Sequence, residues 1–121
     1  MIVGTIINRR PIVPLRVRGP QGQEVEVETL LDTGFNGFLC LSPAVVSALA
    51  LLFLNYFHAS LADGTRVRLE VYAATVDWDG TFRDVEVLAT SHRPLLGTAL
   101  LDGHEVTMQF ADGGLVSIAI L

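Results

Sequence analysis

The sequence has no lysine and a single cysteine, Cys40, among its 121 residues. A lone cysteine cannot form a disulfide within the chain, and the apolar run around Cys40 favours a buried structural thiol over a reactive one. A reducing compartment fits this cysteine usage, and we expect a cytoplasmic protein. The first arginines follow a short apolar run, which is the reverse of their order in a secretory signal.

Positive charge is also scarce, with 8 arginines against 13 acidic residues and a net charge of −5. A nucleic-acid partner is not expected, because phosphate backbones require a clustered positive surface. The apolar run of residues 38–54 approaches the length of a membrane span. Ser42 and Pro43 interrupt this run, and no cluster of cations flanks it. We therefore expect a buried strand followed by a buried helix there, and no membrane partner.

The motifs of common cofactor and metal sites are absent. The chain contains no glycine-rich dinucleotide or phosphate motif, no HExxH and no pair of cysteines. Its three histidines, His58, His92 and His104, are scattered singly, without a second ligand at metal-like spacing. A GxSxG turn, which could present a nucleophilic serine, is missing as well. We expect no cofactor and no metal.

The length predicts a single domain covering residues 1–121. Many short apolar runs separated by turn residues indicate an all-β fold with one or two short helices. Half of the residues are hydrophobic, which is enough for a core. A domain of this size still buries only part of its surface, so a subunit interface would help to stabilise it.

The clearest hairpin is predicted around GPQG, with strands over residues 12–18 and 23–31. The second strand alternates glutamate with apolar or β-branched residues, which gives it one wet and one dry face. With this loop length, two arginines face two glutamates across the hairpin: Arg16 faces Glu26, and Arg18 faces Glu24.

Other elements are indicated by caps and turns. Ser42 and Pro43 are suited to begin a helix over SPAVVSALAL. Three of the four Asp-Gly pairs predict tight hairpin turns, at residues 63–64, 79–80 and 112–113. The middle pair joins two long strands, 65–78 and 82–89. The chain is expected to end with a strand that breaks at Gly97 into a short helix, Thr98–Leu101, and then with a hairpin of residues 104–110 and 115–121.

Asp32 is the only formally charged residue between Glu28 and Asp63, and it lies within LLDTGFNGFL, residues 30–39. A strand of leucines delivers this carboxylate to a turn at Gly34. A buried, unpaired carboxylate is costly when charged. A second carboxylate would lower this cost, because the two can share one proton. One then acts as base and the other as acid. Such a pair can activate water.

The segment LLDTG, residues 30–34, followed by LLG, residues 95–97, resembles the retropepsin family, the single-domain aspartic peptidases of retroviruses and their bacterial relatives. The resemblance covers nearly the whole chain. It implies a closed β-barrel with a flap hairpin between the two motifs. Since the chain has one Asp-Thr-Gly motif, it also implies a homodimer with one Asp32 from each subunit on a twofold axis.

The same resemblance implies a role for each matching residue. Asp32 would be the catalytic carboxylate of an endopeptidase. Thr33 would hydrogen-bond across the subunit interface, and Gly34 would let backbone N–H groups approach the carboxylates. Leu96 and Gly97 would pack beneath the Asp32 turn. The flap tip would close over an extended peptide substrate, and it comprises Leu61, Ala62, Asp63, Gly64 and Thr65.

Phe35 departs from the family pattern, in which a small residue follows the motif. Phenylalanine cannot hydrogen-bond the carboxylate, although it could enlarge an apolar pocket wall. Two other interpretations therefore stay open. One is a catalytically inactive retropepsin-like module that binds peptides or mediates dimerisation. The other is an unrelated small β-barrel in which Asp32 is a turn residue.

Overall fold

A computed structural model describes residues 1–90 and 93–121. It is mainly β, as predicted, with two short helices, α1 Pro43–Ala48 and α2 Thr98–Leu101. The strands are β1 Ile2–Ile7, β2 Arg10–Arg18, β3 Glu24–Leu31, β4 Leu39–Leu41, β5 Leu52–Ser60, β6 Arg66–Trp78, β7 Thr81–Ala89, β8 Leu95–Leu96, β9 His104–Met108 and β10 Leu115–Ile120.

All ten strands belong to one sheet, in the order β5-β6-β7-β4-β8-β3-β2-β1-β10-β9. Strand β2 also pairs with β6, through Val17 opposite Val76 and Arg18 opposite Thr75. This additional pairing closes a ring of β2, β3, β8, β4, β7 and β6. Strand β5 lies at one edge of the sheet beyond the ring, and β1, β10 and β9 extend it at the other edge.

The hairpin of β2 and β3 has the register predicted from the sequence, with Arg16 opposite Glu26 and Arg18 opposite Glu24. Both arginines nevertheless turn to Glu24, Arg18 through its Nε at 2.9 Å and Arg16 at 3.4 Å. The hydrogen bond from Arg18 is the main reason that the pKa of Glu24 lies below its usual value. These groups are exposed, so the ion pairs contribute little to stability.

The core includes side chains from strands of the ring and from β1 and β10 beyond it. Its fully buried side chains come from most strands and both helix regions, and include Val13, Val17, Leu39, Val76, Val87, Leu96 and Leu100. Thr29 is the one polar side chain that is buried among the described residues, and its hydroxyl donates to the carbonyl of Val13 at 2.6 Å. That bond satisfies the hydroxyl inside an apolar environment.

The apolar run of residues 38–54 divides into β4, α1 and the start of β5. Ser42 caps α1, since its Oγ accepts from the N–H of Val45 at 3.3 Å, and Pro43 is the first helical residue. Val46 and Leu49 attach the helix to the core. Neither helix of the described chain has the length and apolar character needed to cross a membrane.

The three Asp-Gly pairs predicted as hairpin turns do form turns, but only one of them is the tight two-residue turn that was predicted for all three. At residues 79–80 both φ angles are positive, 56° and 85°, and the turn joins β6 directly to β7. At residues 63–64 and 112–113 only the glycine has a positive φ, and longer loops connect the strands. In these two loops, the residues on either side of the Asp-Gly pair form backbone hydrogen bonds that complete the turn.

Candidate active site

Asp32 lies immediately after β3, where a short parallel pairing with β8 holds it in place. Leu30 and Leu31 of β3 pair with Leu95 and Leu96 of β8. The pairing continues one residue further, because the N–H of Asp32 donates to the carbonyl of Leu96 at 2.9 Å. The aspartate backbone is therefore fixed by the segment that the sequence predicted to pack beneath it.

The Asp32 side chain is held by its own turn. The N–H of Gly34 donates to Asp32 Oδ1 at 2.8 Å, and the N–H of Phe35 donates to the Asp32 carbonyl at 3.2 Å. A Cβ at Gly34 would lie 3.2 Å from Asp32 Oδ1, so a side chain here would crowd the carboxylate. Within the described chain no cation pairs with Asp32.

Asp32 is less buried than the sequence suggested, and the structure leaves it half-buried. Thr33 and Gly34 beside it are exposed. The Thr33 hydroxyl makes none of the hydrogen bonds found among the described residues. The turn therefore reaches the surface of the subunit and is open to contact from outside it.

The loop after Asp32 is docked on the start of α2. We call residues 32–38 the Asp32 loop. Three successive N–H groups donate to its carbonyls: Gly97 to Phe38 at 2.9 Å, Thr98 to Phe35 at 2.9 Å, and Ala99 to Gly37 at 3.1 Å. The Asp32 loop, β8 and α2 thus form one hydrogen-bonded unit. It brings together Asp32, Thr33, Gly34, Leu96 and Gly97, the five residues predicted for the active-site base.

The predicted flap residues, 61–65, form the tip of the β5–β6 hairpin and are all exposed. The N–H of Leu61 donates to the Thr65 carbonyl at 2.7 Å, and that of Gly64 donates to the Leu61 carbonyl at 3.0 Å. Asp63 accepts from Thr65, and these bonds hold the pKa of Asp63 below its usual value. Asp63 therefore acts as a turn former. No hydrogen bond in the described ranges joins this tip to the Asp32 loop.

A cavity of about 500 Å³ adjoins the Asp32 loop. One wall is the loop itself, residues 35–38, together with Leu39. The other walls come from Phe57 on β5, Val71 on β6, Glu86 and Leu88 on β7, and Ala99 on α2. The volume is that of a small-ligand pocket. Phe35 does extend the apolar wall, as its departure from the family pattern suggested. The residues from β5 to β7 were not predicted, because they are far from Asp32 in sequence and carry no motif.

Cys40 follows this loop on β4 and is a buried structural residue, as expected. Only 5% of it is exposed. Burial raises the pKa of the Cys40 thiol to about 11, and the negative charge of Asp32 adds to the effect. The thiol is therefore neutral near neutral pH, which argues against the alternative of a reactive cysteine.

The described residues contain no group of three or more His, Cys, Asp or Glu side chains that could hold a metal. His58 is exposed on the flap hairpin, whereas His104 is hydrogen-bonded to Trp78. The third histidine of the sequence, His92, lies outside the described residues.

Comparison with known proteins identifies the fold. The chain is similar to the simian foamy virus (mac) protease, whose solution structure matches it with a TM-score of 0.52 and 19% sequence identity. The match covers 73% of this chain and 90% of that protease. No protein-family model matches the chain, and no curated protein matches it in sequence. The chain therefore has a retropepsin-like fold.

Proposed function

We propose that this protein is an aspartic endopeptidase, active as a homodimer, whose single domain spans residues 1–121. The observation that supports this best is the setting of Asp32. It ends a strand, it is fixed to Leu96 by its backbone, and its carboxylate accepts from Gly34. This setting occurs in a chain that shares its fold with a retroviral protease.

A homodimer follows from the number of carboxylates. One chain supplies one Asp-Thr-Gly motif, and the reaction needs two carboxylates that share a proton. The Asp32 carboxylate has no cationic partner in the described part of its subunit and remains half-buried. A second Asp32 on a twofold axis would complete the pair. The exposed Thr33 hydroxyl is free to hydrogen-bond across that axis.

In the proposed reaction the ionised Asp32 accepts a proton from water, and the water oxygen attacks the scissile carbonyl carbon. The proton on the other Asp32 moves to the carbonyl oxygen. Collapse of the resulting diol breaks the C–N bond, and a proton passes to the leaving amine. The flap tip, residues 61–65, would cover an extended peptide during these steps.

Exposed apolar side chains also support assembly. A soluble monomer does not usually expose large apolar patches. This chain exposes consecutive apolar residues on β5 and several near its two ends: Met1, Val3, Leu52, Phe53, Leu54, Ile120 and Leu121. Burying part of this surface between subunits would be favourable.

The test compares wild type with Asp32→Asn on a denatured protein substrate, from mildly acidic to neutral pH. Asp112→Asn is the matched control, since it removes one exposed carboxylate in the loop between β9 and β10. We expect cleavage by wild type and by Asp112→Asn, and none by Asp32→Asn. Equal cleavage by all three proteins would contradict the proposal.

A mixing experiment tests the shared site. Adding excess Asp32→Asn subunits to wild type should form mixed dimers with one carboxylate, so that activity falls as the variant is added. Sedimentation equilibrium should show dimers for both proteins. Peptide binding without cleavage by wild type would instead indicate the inactive module.

A further inference from the structure

The cavity beside the Asp32 loop combines apolar walls with one ionisable group. Its walls include the aromatic side chains of Phe35, Phe38 and Phe57 and the aliphatic side chain of Leu88. Glu86 is the only ionisable side chain among its lining residues. This composition differs from that of a purely hydrophobic pocket, because any occupant must also accommodate a carboxylate.

Glu86 has no partner for its charge in the part of the chain that the structure describes. It is exposed on β7, and Ala73 lies opposite it on β6. The described ion pairs do not include it. Asp84, two residues earlier on the same face of β7, does not line the cavity, and its carboxylate accepts from Thr75 Oγ1 at 3.4 Å. The charge that lines the cavity is therefore that of Glu86.

The cavity also borders an edge strand. Phe57 belongs to β5, which lies at the end of the sheet order and has no neighbour on its other side among the described strands. An edge strand presents free N–H and C=O groups that an extended peptide can pair with. A peptide bound there would direct alternate side chains toward the cavity.

We propose that this cavity is a specificity pocket for a basic peptide side chain, arginine above all, and that Glu86 accepts its charge. The inference rests on the proposed function and names the substrate class of that site. An arginine places its aliphatic stem along apolar walls and stacks its guanidinium on aromatic rings. Its planar donors match a carboxylate in a bidentate pair.

Other side chains fit less well. A neutral apolar side chain would pack against the same walls. It would also displace water from the Glu86 carboxylate without replacing the hydrogen bonds that this water makes. An acidic side chain would be repelled by Glu86. The cavity volume, about 500 Å³, is large enough for a complete long side chain.

The test measures peptide binding by fluorescence anisotropy to the full chain carrying Asp32→Asn, so that no peptide is cut. One arginine is moved through each position of an otherwise apolar peptide and compared with citrulline, its neutral isostere, at the same position. At one position the arginine peptide should bind about fivefold more tightly, which is the effect of a partly exposed ion pair.

Three variants test whether the preference arises in the cavity. Glu86→Gln should remove it, whereas Glu105→Gln, which neutralises an exposed glutamate on β9, should leave it unchanged. Glu86→Arg should reverse it and favour glutamate at that position. Thermal unfolding of each variant shows whether the chain remains folded.

Equal binding of arginine and citrulline peptides at every position would overturn the inference, as would a preference that survives in Glu86→Gln or no binding of any peptide. The proposed function can fail separately. Cleavage by wild type without an arginine preference overturns the pocket alone. An arginine preference without cleavage supports the pocket and contradicts catalysis.

Discussion

Gly97 lies directly beneath Phe35 at the base of the Asp32 loop. A Cβ on Gly97 would come within 2.6 Å of Phe35 Cδ2 and 2.1 Å of the Gly37 carbonyl oxygen. The backbone conformation of Gly97 is ordinary, with φ at −99°, so this glycine is required by close approach and not by a positive φ. The contact joins the loop that carries the candidate catalytic residue to the start of α2.

We expect Gly97→Ala to destabilise the protein by about 2 kcal/mol or more, because the nearest obstacle is a backbone oxygen that cannot move aside. The Asp32 loop should shift, and any peptidase activity should fall with it. Urea unfolding gives the free energy, and the cleavage assay gives the activity.

Gly22→Ala is the matched control for that change. Gly22 has a positive φ of 85°, and a Cβ there would meet no atom within 4 Å, so alanine costs only the conformational penalty of about 1 kcal/mol. If both variants lose the same stability, the packing of the Asp32 loop on Gly97 is not tight.

We expect the buried hydrogen bond of Thr29 to contribute about 1 kcal/mol to the free energy of unfolding. Thr29→Val keeps the shape of the side chain but removes the donor to the Val13 carbonyl, which lies 2.6 Å away in the core. Thr5→Val, on the exposed face of β1, makes the same chemical change in contact with water and should have almost no effect. Urea unfolding of both variants distinguishes the buried bond from the substitution itself.

The sequence predicted those elements whose cause is local. The start of α1 at Ser42 and Pro43, the alternating strand β3 and the break at Gly97 all follow from capping, periodicity and turn chemistry. The hairpin register was correct as well, because a short loop fixes it. The ion pairs were predicted less well, since the long Arg16 side chain turns to Glu24 instead of Glu26.

The sequence did not predict a turn formed by residues that rarely adopt positive φ, nor the features that depend on distant contacts. Strand β1 turns into β2 through Asn8 and Arg9, which both have positive φ although neither is glycine. Glu86 reaches the cavity only because β7 pairs with β6 and β4. For Asp32, the motif indicates which residues lie beside it in sequence and in the later LLG segment, whereas the cavity walls contributed by other strands depend on sheet closure.

The Cys40 thiol should be unreactive toward a disulfide reagent at pH values up to about 9 in the folded protein, and reactive in urea. Its pKa is raised to about 11 by burial first and by Asp32 second. Asp32→Asn should therefore lower the pKa of Cys40 only in part, since burial remains. If the thiol reacts equally fast in the folded and the unfolded protein, Cys40 on β4 is not buried in the folded state.

The same shift predicts the sign of a pH effect on stability. Between about pH 9 and about pH 11 the folded chain keeps the Cys40 proton, whereas the unfolded chain loses it. This contribution to stability is complete below about pH 9 and decreases as the pH rises toward 11. Comparing wild type with Cys40→Ala across this range cancels the titrations that the two proteins share.

Trp78 and His104 allow the sharpest test of how β9 is attached to the ring of strands. The carbonyl of Asp102 can only accept, so its 2.9 Å contact with His104 Nδ1 requires a proton on that nitrogen. In the neutral imidazole Nε2 then has a free lone pair, which accepts from Trp78 Nε1 at 3.1 Å. Trp78 is only 5% exposed, so its N–H depends on this acceptor.

His104→Phe should leave the indole N–H unsatisfied and cost about 1–3 kcal/mol, whereas His104→Gln keeps an acceptor and should recover part of the loss. Since Trp78 is the only tryptophan, its fluorescence reports both the local environment and urea unfolding. The folded-state emission of His104→Phe should change, and its unfolding midpoint should fall below that of His104→Gln. Equal unfolding midpoints for the two variants would mean that the hydrogen bond between Trp78 and residue 104 does not contribute measurably to stability.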